Sequence, residues 1–241
     1  MRERMAQLTM ALVIPAMACG HVVDAPPPAA RIPLIEGVLF AGATTSSIRL
    51  RWLDSAGGGR TFPVPPTEVH LVLCSDDGTE TALRPDPDSA SGYLAALPIA
   101  AGHRYVLEGR IADVSVVGAT TVPTSFAIEI PDRDTIEAVP SPATAEIVTV
   151  PFRWNAVGAA LFVVDSAVFV PASSSSRANS GTLALERRPR GSPPGPTLTF
   201  VALNRDAERY LYGGAAPGSN IWGGFGVLGG AISAKRVVAW P

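Results

Sequence analysis

Ser46-Ser47-Ile48-Arg49-Leu50-Arg51-Trp52-Leu53 decides the fold. Ile48, Leu50 and Trp52 fall on one side of an extended chain and Arg49 and Arg51 on the other, the period-2 pattern of a half-buried strand. Residues 67–74 repeat it, with Val69, Leu71 and Leu73 alternating against His70 and Val72. Asp76-Asp77-Gly78 is a tight-turn signal that folds residues 79–83 back as a hairpin. Residues 32–41 read as a first strand. Gly92-Tyr93-Leu94 opens another, and 102–111 and 114–122 complete the series before Pro123. Strands recurring at short intervals with turn signals between them are the pattern of a β-sandwich. Tyr105 opens a late strand three residues after Gly102, where sandwich domains place a corner tyrosine whose hydroxyl bonds upstream backbone.

The composition agrees. The 241 residues include 23 Gly and 23 Pro, which disfavour long helices and favour turns. Length allows one large or two modest domains. Net charge is −2, so nothing draws the chain to nucleic acid. The 19 basic residues are all Arg except Lys235, which reads as coding bias rather than a recognition surface.

Beyond Pro123 the pattern loosens. Residues 130–142 carry Pro131, Pro140 and Pro142 and read as an interdomain link. Strands are expected at 146–154, within 158–170, at 197–203 and at 231–240, with loops at 173–176 and 187–196. One short helix is expected over 204–213, with Asn204 as its cap, acids early and Gly213 to end it. Residues 219–230 read as a glycine-rich loop carrying Trp222 and Phe225, the best candidates for contact with a ligand or partner; the glycines of 222–230 are better explained by close strand packing or a tight turn than by a phosphate cradle. The alternative is that both rings anchor a core.

The amino terminus carries an address. Arg2 and Arg4 precede an apolar stretch, residues 5–18, too short to span a bilayer permanently, and Cys19 follows it. A cysteine just after a signal cut is what a bacterial lipoprotein acylates. Ala16-Met17-Ala18 also fits ordinary signal cleavage, which would leave a soluble exported protein, so both processings stay open. Residues 21–31 are rich in Pro and Ala, and proline runs act as semi-rigid spacers between an anchor and a folded body. Lipidation of Cys19 would leave Cys74 as a buried thiol; ordinary cleavage would permit a Cys19–Cys74 disulfide.

No catalytic constellation is expected. The three histidines are His21, His70 and His103, in the tether, a strand and a turn, and no serine sits in a Gly-x-Ser-x-Gly elbow. Zinc would need clustered His or Cys. Asp86 and Asp88 faintly echo a calcium loop but lack its further oxygen ligands. Asp76 and Asp77 belong to a turn, and Asp132 and Asp134 to the link. Neither a metal nor a cofactor is expected.

Three stretches carry a family likeness: residues 32–39; Gly92-Tyr93 followed by residues 101–107; and residues 207–211 leading to Asn220-Ile221-Trp222-Gly223-Gly224-Phe225-Gly226-Val227-Leu228. Together they resemble the domain-of-unknown-function 4249 family of bacterial outer-membrane lipoproteins, often encoded beside TonB-dependent transporters. The resemblance implies an all-β chain with an N-terminal immunoglobulin-like sandwich and a smaller β-rich C-terminal domain with one short helix. It supplies no catalytic residues. The expected organisation is a signal peptide over 1–18, a tether over 19–31, the sandwich over 32–131, a linker over 132–145 and the second domain over 146–241. The expected function is non-enzymatic: a cell-envelope lipoprotein held to the outer membrane through lipid on Cys19, in a binding or accessory role beside a TonB-dependent transporter. A secreted hydrolase using loop carboxylates and an adhesive surface module are the alternatives.

Overall fold

A computed structural model describes residues 31–54, 59–124, 127–130, 135–137, 139–140, 147–155, 159–165, 168–171, 180–186, 197–212 and 218–239. Cys19, His21, Asp132, Asp134 and Gly213 lie outside the described residues, as do the expected loops at 173–176 and 187–196.

The first half forms β1 (Arg31–Phe40), β2 (Ser46–Asp54), β3 (Thr61–Pro63), β4 (Val69–Ser75), β5 (Glu80–Ala82), β6 (Arg84–Pro85), β7 (Gly92–Ala95), β8 (Arg104–Ile111) and β9 (Val114–Thr121). They lie in two sheets, one running β1-β2-β7-β6 and the other β9-β8-β4-β5. That is the strand order of an immunoglobulin-like sandwich, ABED facing CFG, with β5 as an added edge. The decisive stretch is β2. Ile48 and Leu50 are fully buried and Trp52 is 6% exposed, while Arg49 is exposed. Their inner face meets Leu71, Leu73, Tyr105 and Leu107 of the opposite sheet in one core. Each such side chain taken from water contributes about 1.5–3 kcal/mol against the ordering entropy of the chain.

Tyr105 makes the corner its position predicts. Its hydroxyl donates to the Pro98 carbonyl at 3.2 Å and accepts the Ala100 N–H at 2.7 Å. The Asp76-Asp77-Gly78 turn joins β4 to β5, with Gly78 at φ 88 and the Asp77 carboxylate accepting the Thr79 N–H at 2.9 Å. Cys74 is buried on β4.

The second half forms β10 (Ala127–Ile130), β11 (Thr135–Glu137), β12 (Val139–Pro140), β13 (Ile147–Asn155), β14 (Ala159–Asp165), β15 (Val168–Pro171), β16 (Ser180–Glu186), β17 (Thr197–Asn204), helix α1 (Arg205–Tyr212), β18 (Ile221–Trp222) and β19 (Phe225–Ala239). Strands β10, β12, β13 and β16 make a third sheet. The others extend the first two. β19 lies parallel to β1, from Leu34↔Phe225 to Phe40↔Ala231, and the sheet continues β19-β17-β14-β15. β18 pairs with β9 at the edge of the second sheet. Strands from both sides of the expected 132–145 linker therefore share hydrogen-bonded sheets, and that stretch itself supplies β11 against β19 and β12 against β13.

One sequence expectation needs correction. Residues 225–230 are strand, not loop, so the closing strand begins at Phe225 instead of 231. The glycines serve close packing, one of the two roles the sequence suggested for them, but within a strand and not a loop. A side chain at Gly226, held at φ +119, would run into the Ile35 carbonyl of β1, and one at Gly229 would meet Ala207 Cβ of α1 at 2.5 Å. Glycine in a strand often marks such close approach.

Replacing Tyr105 with Phe keeps the buried ring and removes both corner hydrogen bonds. Equilibrium denaturation is expected to show a loss of about 1–3 kcal/mol, because the Ala100 N–H and Pro98 carbonyl lose their partner.

Candidate functional site

Three places bring polar or aromatic side chains together. The first surrounds the two aromatics singled out by sequence. Trp222 stands on β18 and is 40% exposed. Phe225 opens β19, is half-buried, and packs its ring on Tyr210 of α1, with centroids 6.1 Å apart and planes at 54°. What holds the segment is Asn220. Its Nδ2 donates to the Ala119 carbonyl of β9 at 2.9 Å and to the Leu228 carbonyl at 2.8 Å, and its Oδ1 accepts the Leu228 N–H at 2.9 Å. Asn204 does a similar job at the start of α1. It caps α1 by accepting the Ala207 N–H at 3.1 Å and donates to Thr120 Oγ1 at 2.6 Å and the Thr121 carbonyl at 3.1 Å. Two side-chain amides thus occupy carbonyls along the outer margin of β9, one way proteins blunt a sheet edge.

Beneath Phe225 lies a polar bridge that sequence reading did not anticipate. Glu36 of β1 accepts from Arg51 Nη2 at 2.5 Å and from the Tyr210 hydroxyl at 2.8 Å. Arg51 Nη1 also reaches Thr61 Oγ1 at 3.4 Å. Burial first, then the adjacent Glu36 carboxylate, push the Tyr210 phenol from 10.0 up to about 12. A lone glutamate in an apolar first strand was the signal for this bridge, but its partner is far along the chain.

The second place is the β4–β5 turn. Asp76 Oδ1 meets His103 Nδ1 at 2.7 Å, and its Oδ2 accepts the Arg104 N–H at 3.0 Å. The backbone hydrogen bond, followed by His103, holds the Asp76 carboxyl below its usual 3.8. Ser75 Oγ approaches the same carboxylate at 3.5 Å. The carboxylate therefore stands between serine and imidazole, whereas a nucleophilic triad needs the imidazole between serine and acid. The arrangement fastens a turn. Asp86 behaves alike: its carboxylate accepts the Asp88 N–H at 3.0 Å, an Asx turn. Among the described residues no group of three or more His, Cys, Asp or Glu could hold a metal ion. His70 sits exposed on β4, apart from these groups.

The third place is a cavity of about 190 Å³ lined by Arg31, Trp52, Glu68, Ala112, Asp113 and Val114. Its walls are the start of β1, the floor of β2, the short 3-10 turn Pro66–Glu68 and the β8–β9 turn. Trp52 Nε1 donates to Glu68 Oε2 at 3.1 Å. The Ala112 N–H donates to the Glu68 carbonyl at 2.7 Å, and Arg110 Nη2 to the Asp113 carbonyl at 2.9 Å. Ala112 has φ 52, the only positive value at a non-glycine among the described residues. The two-residue hairpin demands it there. Sequence reading placed Trp52 in the core and passed over Arg31, Glu68 and Asp113, which meet only through the fold.

No family model matches the chain, and no curated protein does. Among solved structures it is similar to the I9–I11 tandem of titin, at 12% identity and a TM-score of 0.25, over 86% of this chain and 65% of the titin chain. The immunoglobulin-like assignment rests on the strand order and the tyrosine corner, not on this likeness.

Two outcomes test this geometry. Asn220→Ala removes three hydrogen bonds and leaves backbone groups of Ala119 and Leu228 without them, so denaturation should show a loss of about 2–4 kcal/mol. Tyr210 has a folded value raised above its unfolded 10.0, so its contribution is complete below pH 10 and fades as pH rises toward about 12. Across that window wild type should lose stability relative to Tyr210→Phe, read from melts at stepped pH.

Proposed function

We propose that the protein is a non-enzymatic lipoprotein of the bacterial cell envelope, attached to the outer membrane through lipid on Cys19 and serving a binding or accessory role, with a TonB-dependent transporter as its partner. The observation that carries the reading is the placement of Cys19. It follows a charged and apolar leader, and only residues 20–30 separate it from Arg31, the first residue of β1. β1 is hydrogen-bonded on both sides, to β2 and to β19. A segment of that length spans at most about 40 Å, which keeps the Arg31 end of the sandwich close to whatever surface holds the anchor. The lipoprotein-family resemblance supports the same address, and loops and sheet margins of a sandwich are surfaces that suit partner binding.

Intact mass and membrane fractionation of wild type beside Cys19→Ala test the proposal. The expected result is acyl mass and membrane partition for wild type and release of the variant. Two soluble, unacylated proteins would overturn it. Pulldown from native membranes then tests the transporter as partner.

A further inference from the structure

The cavity under Trp52 holds opposite charges that do not pair with one another. Arg31 makes no ion pair with Glu68 or Asp113, and neither carboxylate has a basic partner among the described residues. Pairing with one another would gain these groups only about 0–1 kcal/mol, so it competes weakly with a charged ligand. Neighbouring hydrogen bonds place Glu68 and the backbone of the turn that carries Asp113. The indole N–H holds one oxygen of Glu68, the Ala112 N–H holds the backbone of the same residue, and Arg110 holds the turn carrying Asp113. The cavity, about 190 Å³, is smaller than a drug-sized pocket and suits a compact ligand.

We propose that this cavity binds a small zwitterion, its ammonium held by Glu68 and Asp113 against the Trp52 indole and its anionic group held by Arg31. The acids supply charge, and the buried Trp52 indole orients Glu68 through its N–H. Arg31 supplies a planar donor fork that fits a phosphate or a carboxylate. Two sources share this chemistry: the phosphoethanolamine headgroup of a phospholipid and a free amino acid. Arg31 is also the first residue of β1, so under the attachment through Cys19 proposed above the cavity lies at the end of the sandwich nearest the anchor. The site stands whether or not Cys19 is acylated.

The test uses the full chain carrying Cys19→Ala, so that ligand binding is read apart from membrane attachment. Calorimetric titration with O-phosphoethanolamine, β-alanine, ethanolamine and inorganic phosphate should show a dissociation constant of about 1 mM or below for at least one zwitterion. The single-charge probes should bind at least about tenfold more weakly. Phosphoethanolamine binding above β-alanine assigns the headgroup; the reverse assigns the free amino acid. Glu68→Gln keeps an acceptor for the Trp52 N–H, and Asp113 is exposed, so Glu68→Gln and Asp113→Asn should both fold as wild type. Each should weaken the zwitterion, Glu68→Gln by about tenfold or more. Absence of saturable binding by either zwitterion, or binding unchanged in both variants, would overturn the proposal.

Discussion

The parallel pairing of β1 with β19 is the constraint on which the rest depends. It joins the first described strand to the last, over seven register pairs from Leu34↔Phe225 to Phe40↔Ala231. Without it β1 would be the edge of an ordinary sandwich, with an open row of backbone donors and acceptors. With it, β1 becomes an interior strand and β19 carries β17, β14 and β15 onto the same sheet. Parallel pairing between distant segments costs loop-closure entropy before it gives anything back, so it needs strong local support. Glycine supplies part of that support: Gly226 lets β19 reach the Ile35 carbonyl, and Gly229 lets α1 settle against it.

Polar side chains supply the rest, and they act as cross-links rather than as chemistry. Asn220 ties the entry of β19 to β9, Asn204 ties the start of α1 to the same strand, and Glu36 ties β1 to both β2 and α1. Each is at least partly buried and uses its capacity on backbone or on a named partner. The histidine and aspartates that could have suggested catalysis do similar work at turns. Asp76 holds His103 and the Arg104 N–H, and Asp86 closes its own loop.

The cavity at the Arg31 pole differs in kind. Among its charged groups, Glu68 is oriented by the Trp52 N–H, and none forms an ion pair with another of them. It also draws its lining from the first strand, the second strand, a 3-10 turn and a hairpin turn, which only the closed sandwich brings within reach.

The sequence by itself determined the strands of the sandwich, because alternation in 46–53 and 67–74 reports burial directly through the period of the extended chain. It also determined the Tyr105 corner, the Asp-Asp-Gly hairpin and the Asn204-capped helix, because each is a local rule spanning only a few residues. The tertiary structure decided what 219–230 does. Glycine signals freedom or close approach, and only the arrival of β1, β9 and α1 shows which. It also decided that β19 lies beside β1, and that Arg31, Trp52, Glu68 and Asp113 surround one cavity. Pairing between segments so far apart follows from the mutual fit of completed sheets, which no window along the chain contains.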